Sequence, residues 1–230
     1  MICSAIIPSG GTGKRFGEKI PKQYSDLNGI PVLIRTLQTI DMIDQIKSVI
    51  IPIDPEWQSF VDSKLFIFKI QKQPIFVKDG RERQDSVYNA IQTDEVKNSD
   101  IILVHDAVRP AATPQLYLNI IDAASKFDAA IPVINPKDTI KTIDENNFID
   151  TTLPRHKLKA VQTPQGFKSK ILIDAYTNAK KNNIFANDDA ELVEKIGIKV
   201  KAIDGEPHNI KLTEPDDKIL LQHYFEKLLE

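Results

Sequence analysis

Apolar positions along this chain follow two alternating periods. Short runs that are apolar at nearly every position (Ile2 to Ile7, Lys47 to Ile53, Pro74 to Val77, Asp100 to Val104 and Ala129 to Ile134) read as strands buried on both faces. Between them apolar residues recur at helical spacing, over Pro31 to Ile40, after Asp54-Pro55, through Val87, Ala90 and Ile91, and over Leu116 to Phe127. Asp54 is the expected cap of its helix, and Asp85 or Ser86 of the next. Strand and helix in alternation predict an α/β, Rossmann-like, mostly parallel sheet flanked by helices.

Beyond Ile134 the alternation breaks. From Asn135 to Gln165 helical periodicity is weak, and Thr139 to Ile143 and Phe148 to Thr152 flank a turn, Asp144-Glu145-Asn146-Asn147. This predicts an extended β-arm at about residues 136–160. A two-stranded arm is marginal alone, so a homodimer is the expected partner. Helical spacing returns at Ile171, Leu172, Ala175, Tyr176 and Ala179, and again after Asn187-Asp188-Asp189-Ala190 as far as Gly197. Lys199 to Ile203 reads as a strand, and Glu214-Pro215-Asp216 starts a final amphipathic helix. No internal repeat or linker interrupts residues 1–230, which read as one domain.

Candidate chemistry sits where strands end. The first strand empties into Pro8-Ser9-Gly10-Gly11-Thr12-Gly13, followed at once by Lys14, Arg15, Lys19 and Lys22. Glycines let backbone N–H groups approach an anion closely and the cations supply charge, so this is a candidate phosphate site. It is neither a Walker loop, since Arg15 follows Lys14, nor a dinucleotide fingerprint, since Gly11, Gly13 and Gly17 miss that spacing. A second charged turn, Asp79-Gly80-Arg81-Glu82-Arg83-Gln84-Asp85-Ser86, follows the third strand. The strand Asp100 to Val104 delivers His105-Asp106-Ala107-Val108-Arg109-Pro110, where a carboxylate suits a substrate hydroxyl or a metal-bound triphosphate, or a structural pair with Arg109.

Composition narrows the choice. A net charge of −2 and a pI near 6.1 argue against nucleic-acid binding by bulk electrostatics, so basic residues must act locally. The lone cysteine, Cys3, excludes an internal disulfide and any cysteine metal cluster. Without a membrane-span candidate or a signal-peptide pattern, the expected location is the cytoplasm. Trp57 reads as a packing residue, and His105, His156, His208 and His223 as structural.

Taken together these pieces, with Pro21-Lys22-Gln23, Asp138-Thr139-Ile140-Lys141, Gln162-Thr163-Pro164-Gln165 and Asn209-Ile210-Lys211-Leu212-Thr213, span nearly the whole chain. The succession resembles the cytidylyltransferases that make CDP-linked polyols, and within them the branch acting on methylerythritol phosphate in non-mevalonate isoprenoid synthesis. The resemblance implies CTP and a polyol phosphate as substrates, Mg²⁺ as cofactor, and an arm exchanged in a homodimer that completes the neighbouring site. It implies that Arg15 and Lys22 stabilise the transition state and that Arg155 and Lys211 position the acceptor phosphate. Pro8 to Gly13, Gly80, Arg81 and Ser86 would bind the nucleotide, and Asp106, Thr139 and Thr163 the acceptor; a metal ligand is not indicated. Ser9-Gly10-Gly11 and Val108 look more like ribitol-5-phosphate cytidylyltransferases, whereas Lys141 and Asp188-Asp189-Ala190 with Glu194 look like the methylerythritol branch. The balance favours methylerythritol phosphate, with CDP-ribitol synthesis as the alternative.

Overall fold

A strand whose every side chain is buried needs cover on both faces, and here helices supply it. The computed structural model describes residues 1–11 and 20–228. The chain runs through β1 (Cys3–Ile6), a small hairpin of β2 (Asp26–Leu27) and β3 (Ile30–Pro31), α1 (Val32–Asp41), β4 (Ile46–Ile53), α2 (Pro55–Ile67) and β5 (Ile75–Lys78). It continues with α3 (Arg83–Ala90), α4 (Asp94–Lys97), β6 (Ile101–Val104), α5 (Pro114–Phe127), β7 (Ala129–Ile134) and the arm strands β8 (Lys141–Ile143) and β9 (Ile149–Thr152). It ends with β10 (Ala160–Val161), β11 (Gln165–Lys168), α6 (Ser169–Asn182), α7 (Asp189–Lys195), β12 (Lys201–Asp204) and α8 (Pro215–Lys227).

β1 lies at the heart of the main sheet, parallel to β4 on one side and β6 on the other, with β5 parallel to β4 beyond. β11 runs antiparallel between β6 and β7, β10 extends it along β7, and β12 lies parallel on the far side of β7. The expected parallel sheet is therefore present, with one reversed insertion that the periodicity does not announce. On one face Ala5 and Ile7 pack with Leu37, Leu65 and Ile120 from α1, α2 and α5. On the other, Ile6 and Ile50 pack with Val87, Leu172 and Val193 from α3, α6 and α7. Cys3 is a buried core residue.

Local chemistry sets the helix starts. Asp54 accepts from Glu56 N at 3.0 Å with Pro55 opening α2, and Asp188 accepts from Glu191 N at 2.9 Å to cap α7. Two expectations need correction. α3 starts at Arg83 with Glu82 at its cap position, so Asp85 and Ser86 lie inside the first turn; the Ser86 hydroxyl bonds Glu82 O rather than capping. The strand expected over Lys199 to Ile203 is displaced to Lys201–Asp204, where it pairs with Ala130–Val133.

The arm forms as an antiparallel hairpin with Lys141 opposite Thr152, and pairs with no other described strand. Phe148 on it is 72% exposed. A third cluster joins α8 to the β2–β3 hairpin through Leu27, Val32, Val108, Leu212 and Leu221.

Gly166 on β11 lies against α5, where an added Cβ would meet Ile120 Cγ2 at 2.5 Å, and Ile120 is fully buried. Gly166→Ala is expected to lower stability by about 1–3 kcal/mol through overpacking, read from the urea midpoint of unfolding.

Candidate functional site

The carboxyl ends of β1, β5 and β6 open on a cleft of about 570 Å³, to which Lys22 and Lys211 also contribute. Its first wall is the glycine turn. Past β1 the chain stays on β4, with Ser9 N donating to Pro52 O at 2.8 Å. Gln23 Nε2 then donates to Ser9 O at 2.6 Å and Gly11 O at 2.8 Å, and the Tyr24 hydroxyl donates to Ser9 O at 2.9 Å. Tyr24 is fixed in turn by stacking on Trp57 at 4.6 Å, so the tryptophan is a packing residue. The short turn Lys22–Tyr24 thus ties down the loop's carbonyl oxygens while presenting Lys22 to the cleft.

Opposite stands the second charged turn. Gly80 N donates to Ser86 Oγ at 2.9 Å, and the same hydroxyl donates to Glu82 O at 3.1 Å. Glycine is required at position 80, where a Cβ would lie 2.2 Å from Asp85 Cβ. Gly10 is equally constrained, because a Cβ there would meet Asp79 Oδ2 at 2.2 Å. The two turns therefore touch across the cleft through a glycine that no other residue replaces without displacement.

The third wall is built on Asp106. Its Oδ1 accepts from Arg83 Nε at 3.1 Å, and its Oδ2 lies 2.8 Å from Lys211 Nζ and 3.6 Å from Arg109 Nε. Burial alone would raise the carboxyl pKa, but Arg83, Lys211 and Arg109 reverse that and hold it well below the usual carboxylate range. Arg83 also reaches back to Asp189 Oδ2 at 2.7 Å; Asp189 is wholly buried and its other oxygen accepts from the Tyr176 hydroxyl. Asp189 and Asp106, carried on α7 and at the end of β6, thereby clamp one guanidinium between them. Lys211 is placed by its neighbour, since Leu212 N donates to Val108 O at 2.9 Å and Leu212 is buried under α8.

Beneath Asp106 a polar chain runs through Thr163, His105 and Asn209, in which Asn209 Oδ1 is buried without a hydrogen-bond partner. Asp106 N donates to Thr163 Oγ1 at 3.0 Å, and His105 Nε2 faces Arg109 O at 3.1 Å. A carbonyl can only accept, so Nε2 carries the proton, and Nδ1 accepts from the Thr163 hydroxyl at 3.0 Å. Burial pushes the His105 pKa down to about 4, which leaves a neutral structural imidazole. Asn209 Nδ2 donates to Thr163 O at 2.8 Å, and Arg109 Nη1 donates to Asn209 O at 2.7 Å, closing the network onto the Lys211 segment.

The residues expected from sequence thus fall into four groups. Pro8, Ser9, Gly10, Gly11, Lys22, Gly80, Arg81, Ser86, Asp106 and Lys211 line one cleft. Thr163 lies just beneath it, its hydroxyl spent on Asp106 and His105. Arg155 and Thr139 meet each other, Arg155 Nη2 donating to Thr139 Oγ1 at 2.8 Å, but on the arm and not in the cleft lining of this chain. Thr12, Gly13 and Arg15 lie outside the described residues. Sequence reasoning leaves out Arg83, Asp189, Gln23 and Asp79 as site residues. The only hint for the first pair is a helix-opening acid beyond what dipole and cap require.

Two outcomes follow. Asp189→Ala strands the Tyr176 hydroxyl and half of the Arg83 clamp, costing about 3 kcal/mol in a denaturant titration, the low end for a broken buried pair because Arg83 retains some access to water. His105 has a folded pKa of about 4 against 6.5 for the free side chain, so its contribution is complete above 6.5 and is lost as pH falls toward 4. Unfolding free energy is expected to drop by about 1.4 kcal/mol per pH unit through that window, and His105→Gln to flatten the slope.

With this geometry in hand, comparison with known proteins is specific. The family model for 2-C-methyl-D-erythritol 4-phosphate cytidylyltransferase matches residues 3–227. A protein of that name from Bacillus mycoides (strain KBAB4) is 37% identical over 219 residues, 95% of this chain and 96% of the relative. Another from Clostridium beijerinckii is 38% identical over 226 residues, covering 98% and 99%. The crystal structure of 4-diphosphocytidyl-2C-methyl-D-erythritol synthase from Anaerococcus prevotii DSM 20548 superposes with a TM-score of 0.85 at 30% identity, covering 98% of both chains. On these matches the chain belongs to the 2-C-methyl-D-erythritol 4-phosphate cytidylyltransferase family, and is a nucleotidyltransferase.

Proposed function

We propose that the cleft joins CTP and 2-C-methyl-D-erythritol 4-phosphate into 4-diphosphocytidyl-2-C-methyl-D-erythritol and pyrophosphate. The observation that carries this reading is the meeting of Lys22 and Lys211, from opposite ends of the chain, beside Gly10, Gly11 and Asp106. A phosphate oxygen of the acceptor attacks the α-phosphorus, a P–O bond forms, and the bond to the β-phosphate breaks. With a second pKa of about 6 the phosphomonoester is largely dianionic at pH 7, so it needs no general base. A neutral, buried His105 fits that chemistry.

What the reaction requires is cancellation of charge between two anions. Lys22, with Arg15, which lies outside the described residues, stabilises the charge growing on the triphosphate; Lys211 and Arg155 receive the acceptor phosphate. Asp106 anchors Lys211 and Arg83 beside the bound phosphates, and Thr163 fixes the Asp106 backbone. Thr139 stands with Arg155, so both act from the arm. Mg²⁺ favours phosphate oxygens and water with a carboxylate or two, and Asp106 Oδ1, which accepts one hydrogen bond, retains a lone pair for it. When bound, the ion supplies further neutralisation of the triphosphate.

The arm's exposed Phe148, Ile149 and Ile143 support a homodimer in which each arm delivers Arg155 to the neighbouring site. Among the described residues no helix is long and apolar enough to cross a membrane, and a cytoplasmic enzyme is the reading we adopt. Ribitol 5-phosphate is the alternative acceptor raised by Ser9 and Val108, but the family matches do not favour it.

Pyrophosphate release from CTP and Mg²⁺ is the test, run with methylerythritol phosphate and ribitol 5-phosphate in parallel. Release with the former alone is expected; release only with the latter, or with neither, overturns the reading. Lys22→Ala should cut kcat by about 10²–10³ with a modest change in CTP binding, the scale of losing one transition-state donor. Phe148→Glu should shift the sedimentation equilibrium toward monomer and make specific activity rise with protein concentration.

A further inference from the structure

The segment that delivers Lys211 to the cleft has little apolar surface to hold it. Gly205-Glu206-Pro207-His208-Asn209 contains one buried residue, the polar Asn209, and no apolar side chain is buried before Leu212. The bond from Leu212 N to Val108 O secures the far side of Lys211, so polar contacts must set the path on the near side, and they converge on Glu206. Its Oε2 accepts from Thr113 N at 3.1 Å, and its Oε1 accepts from the Thr113 hydroxyl. Its N–H donates to Gln162 Oε1 at 3.1 Å, and its carbonyl accepts from Gln162 Nε2 at 2.8 Å and from Asn209 N at 3.0 Å, closing a turn. That turn presents Asn209 O to Arg109 Nη1, whose Nε lies 3.6 Å from Asp106 Oδ2. α5 does not need the carboxylate for its own start, because Thr113 Oγ1 already accepts from Leu116 N at 3.2 Å and Pro114 has no N–H to satisfy. Two donors and the helix dipole nevertheless favour an anion there, and the Lys211 segment supplies it.

We propose that Glu206 is a positioning residue for the acceptor-phosphate site: by docking its carboxylate on the start of α5 it fixes residues 205–211, and so sets where Lys211 and Arg109 stand around Asp106. This rests on the cytidylyl-transfer reading, in which Lys211 receives the acceptor phosphate. Glu206 itself touches no substrate and acts through the backbone that carries Lys211. A lysine is a point charge on a flexible stem, so its placement follows that of its backbone, and a small misplacement of a reacting group is costly. The nucleotide side of the cleft is built on other elements, with Gly10 and Gly11 after β1 and Gly80 and Ser86 between β5 and α3. Loss of the Glu206 contact therefore falls on the acceptor and spares CTP.

Steady-state kinetics with CTP, Mg²⁺ and methylerythritol phosphate tests this. Glu206→Ala should raise KM for the acceptor about tenfold, the scale of one hydrogen bond to a charged group, while calorimetric CTP affinity stays within about twofold. Glu206→Gln keeps one acceptor oxygen for Thr113, so its KM should rise only about threefold, and it serves if the alanine variant does not fold. In a Lys211→Ala background Glu206→Ala should add little, since the group it positions is gone, whereas a merely structural role would add its full effect. An unmoved acceptor KM, equal weakening of CTP, or full additivity overturns the assignment. Hydrogen exchange reads the placement itself, independently of turnover: either variant should speed exchange of the Asn209 and Leu212 amides and leave the middle of α5 unchanged, and unchanged exchange at both amides overturns the assignment. Failure of the unmodified chain to release pyrophosphate with methylerythritol phosphate would instead count against the cytidylyl-transfer reading, with the exchange result still deciding whether Glu206 fixes the segment.

Discussion

Everything at this site depends on a carboxylate buried among cations. Asp106 is less than a tenth exposed, yet stays charged because Arg83, Lys211 and Arg109 surround it. Left alone, those cations would repel each other and splay into water; a fixed negative charge holds them at the end of β6, where a parallel sheet opens its crevice. The arrangement is costly in desolvation, so it is built from several elements at once. Asp189 on α7 grips Arg83 from behind, α8 buries Leu212 next to Lys211, and Thr163 with His105 pins the Asp106 backbone.

That construction explains why the sheet interrupts its parallel order. Inserting β11 between β6 and β7 brings Thr163 directly under Asp106, and lets Gln165 bond both Asp188 and the backbone of Ala190 at the start of α7. The reversed strand is thus the link between the floor of the cleft and the helix that carries Asp189. Gly166 lets it lie close against α5. Fold and site are coupled through these few residues more than through the hydrophobic core, which would tolerate many sequences.

Much of this architecture is legible in the order of residues alone. Continuous apolar runs mark β1, β4, β6 and β7 within a residue or two, because strands buried on both faces leave no alternating pattern to misread. The arm is legible for the opposite reason, a polar turn between short extended pieces with no core to join. The glycine turn and the Lys22 and Lys211 segments can be paired only through family resemblance, since nothing in their spacing says that they meet. β11 escapes notice because four residues containing a glycine carry little periodic signal. Arg83 and Asp189 escape because a long-range ion pair has no local signature. Each looks adequately explained as a charge at a helix start, and only tertiary packing shows that the two starts face one another.

Single-turnover cytidylyl transfer by Asp106→Asn is the most direct test of whether organised cations, rather than positive charge as such, are what this cleft supplies. The substitution makes the cleft more positive while removing the anchor for Arg83 and Lys211. With thermal midpoint and CTP binding measured alongside, a rate that falls by orders of magnitude despite the added charge is the expected result. A rate that stays level or rises would contradict it.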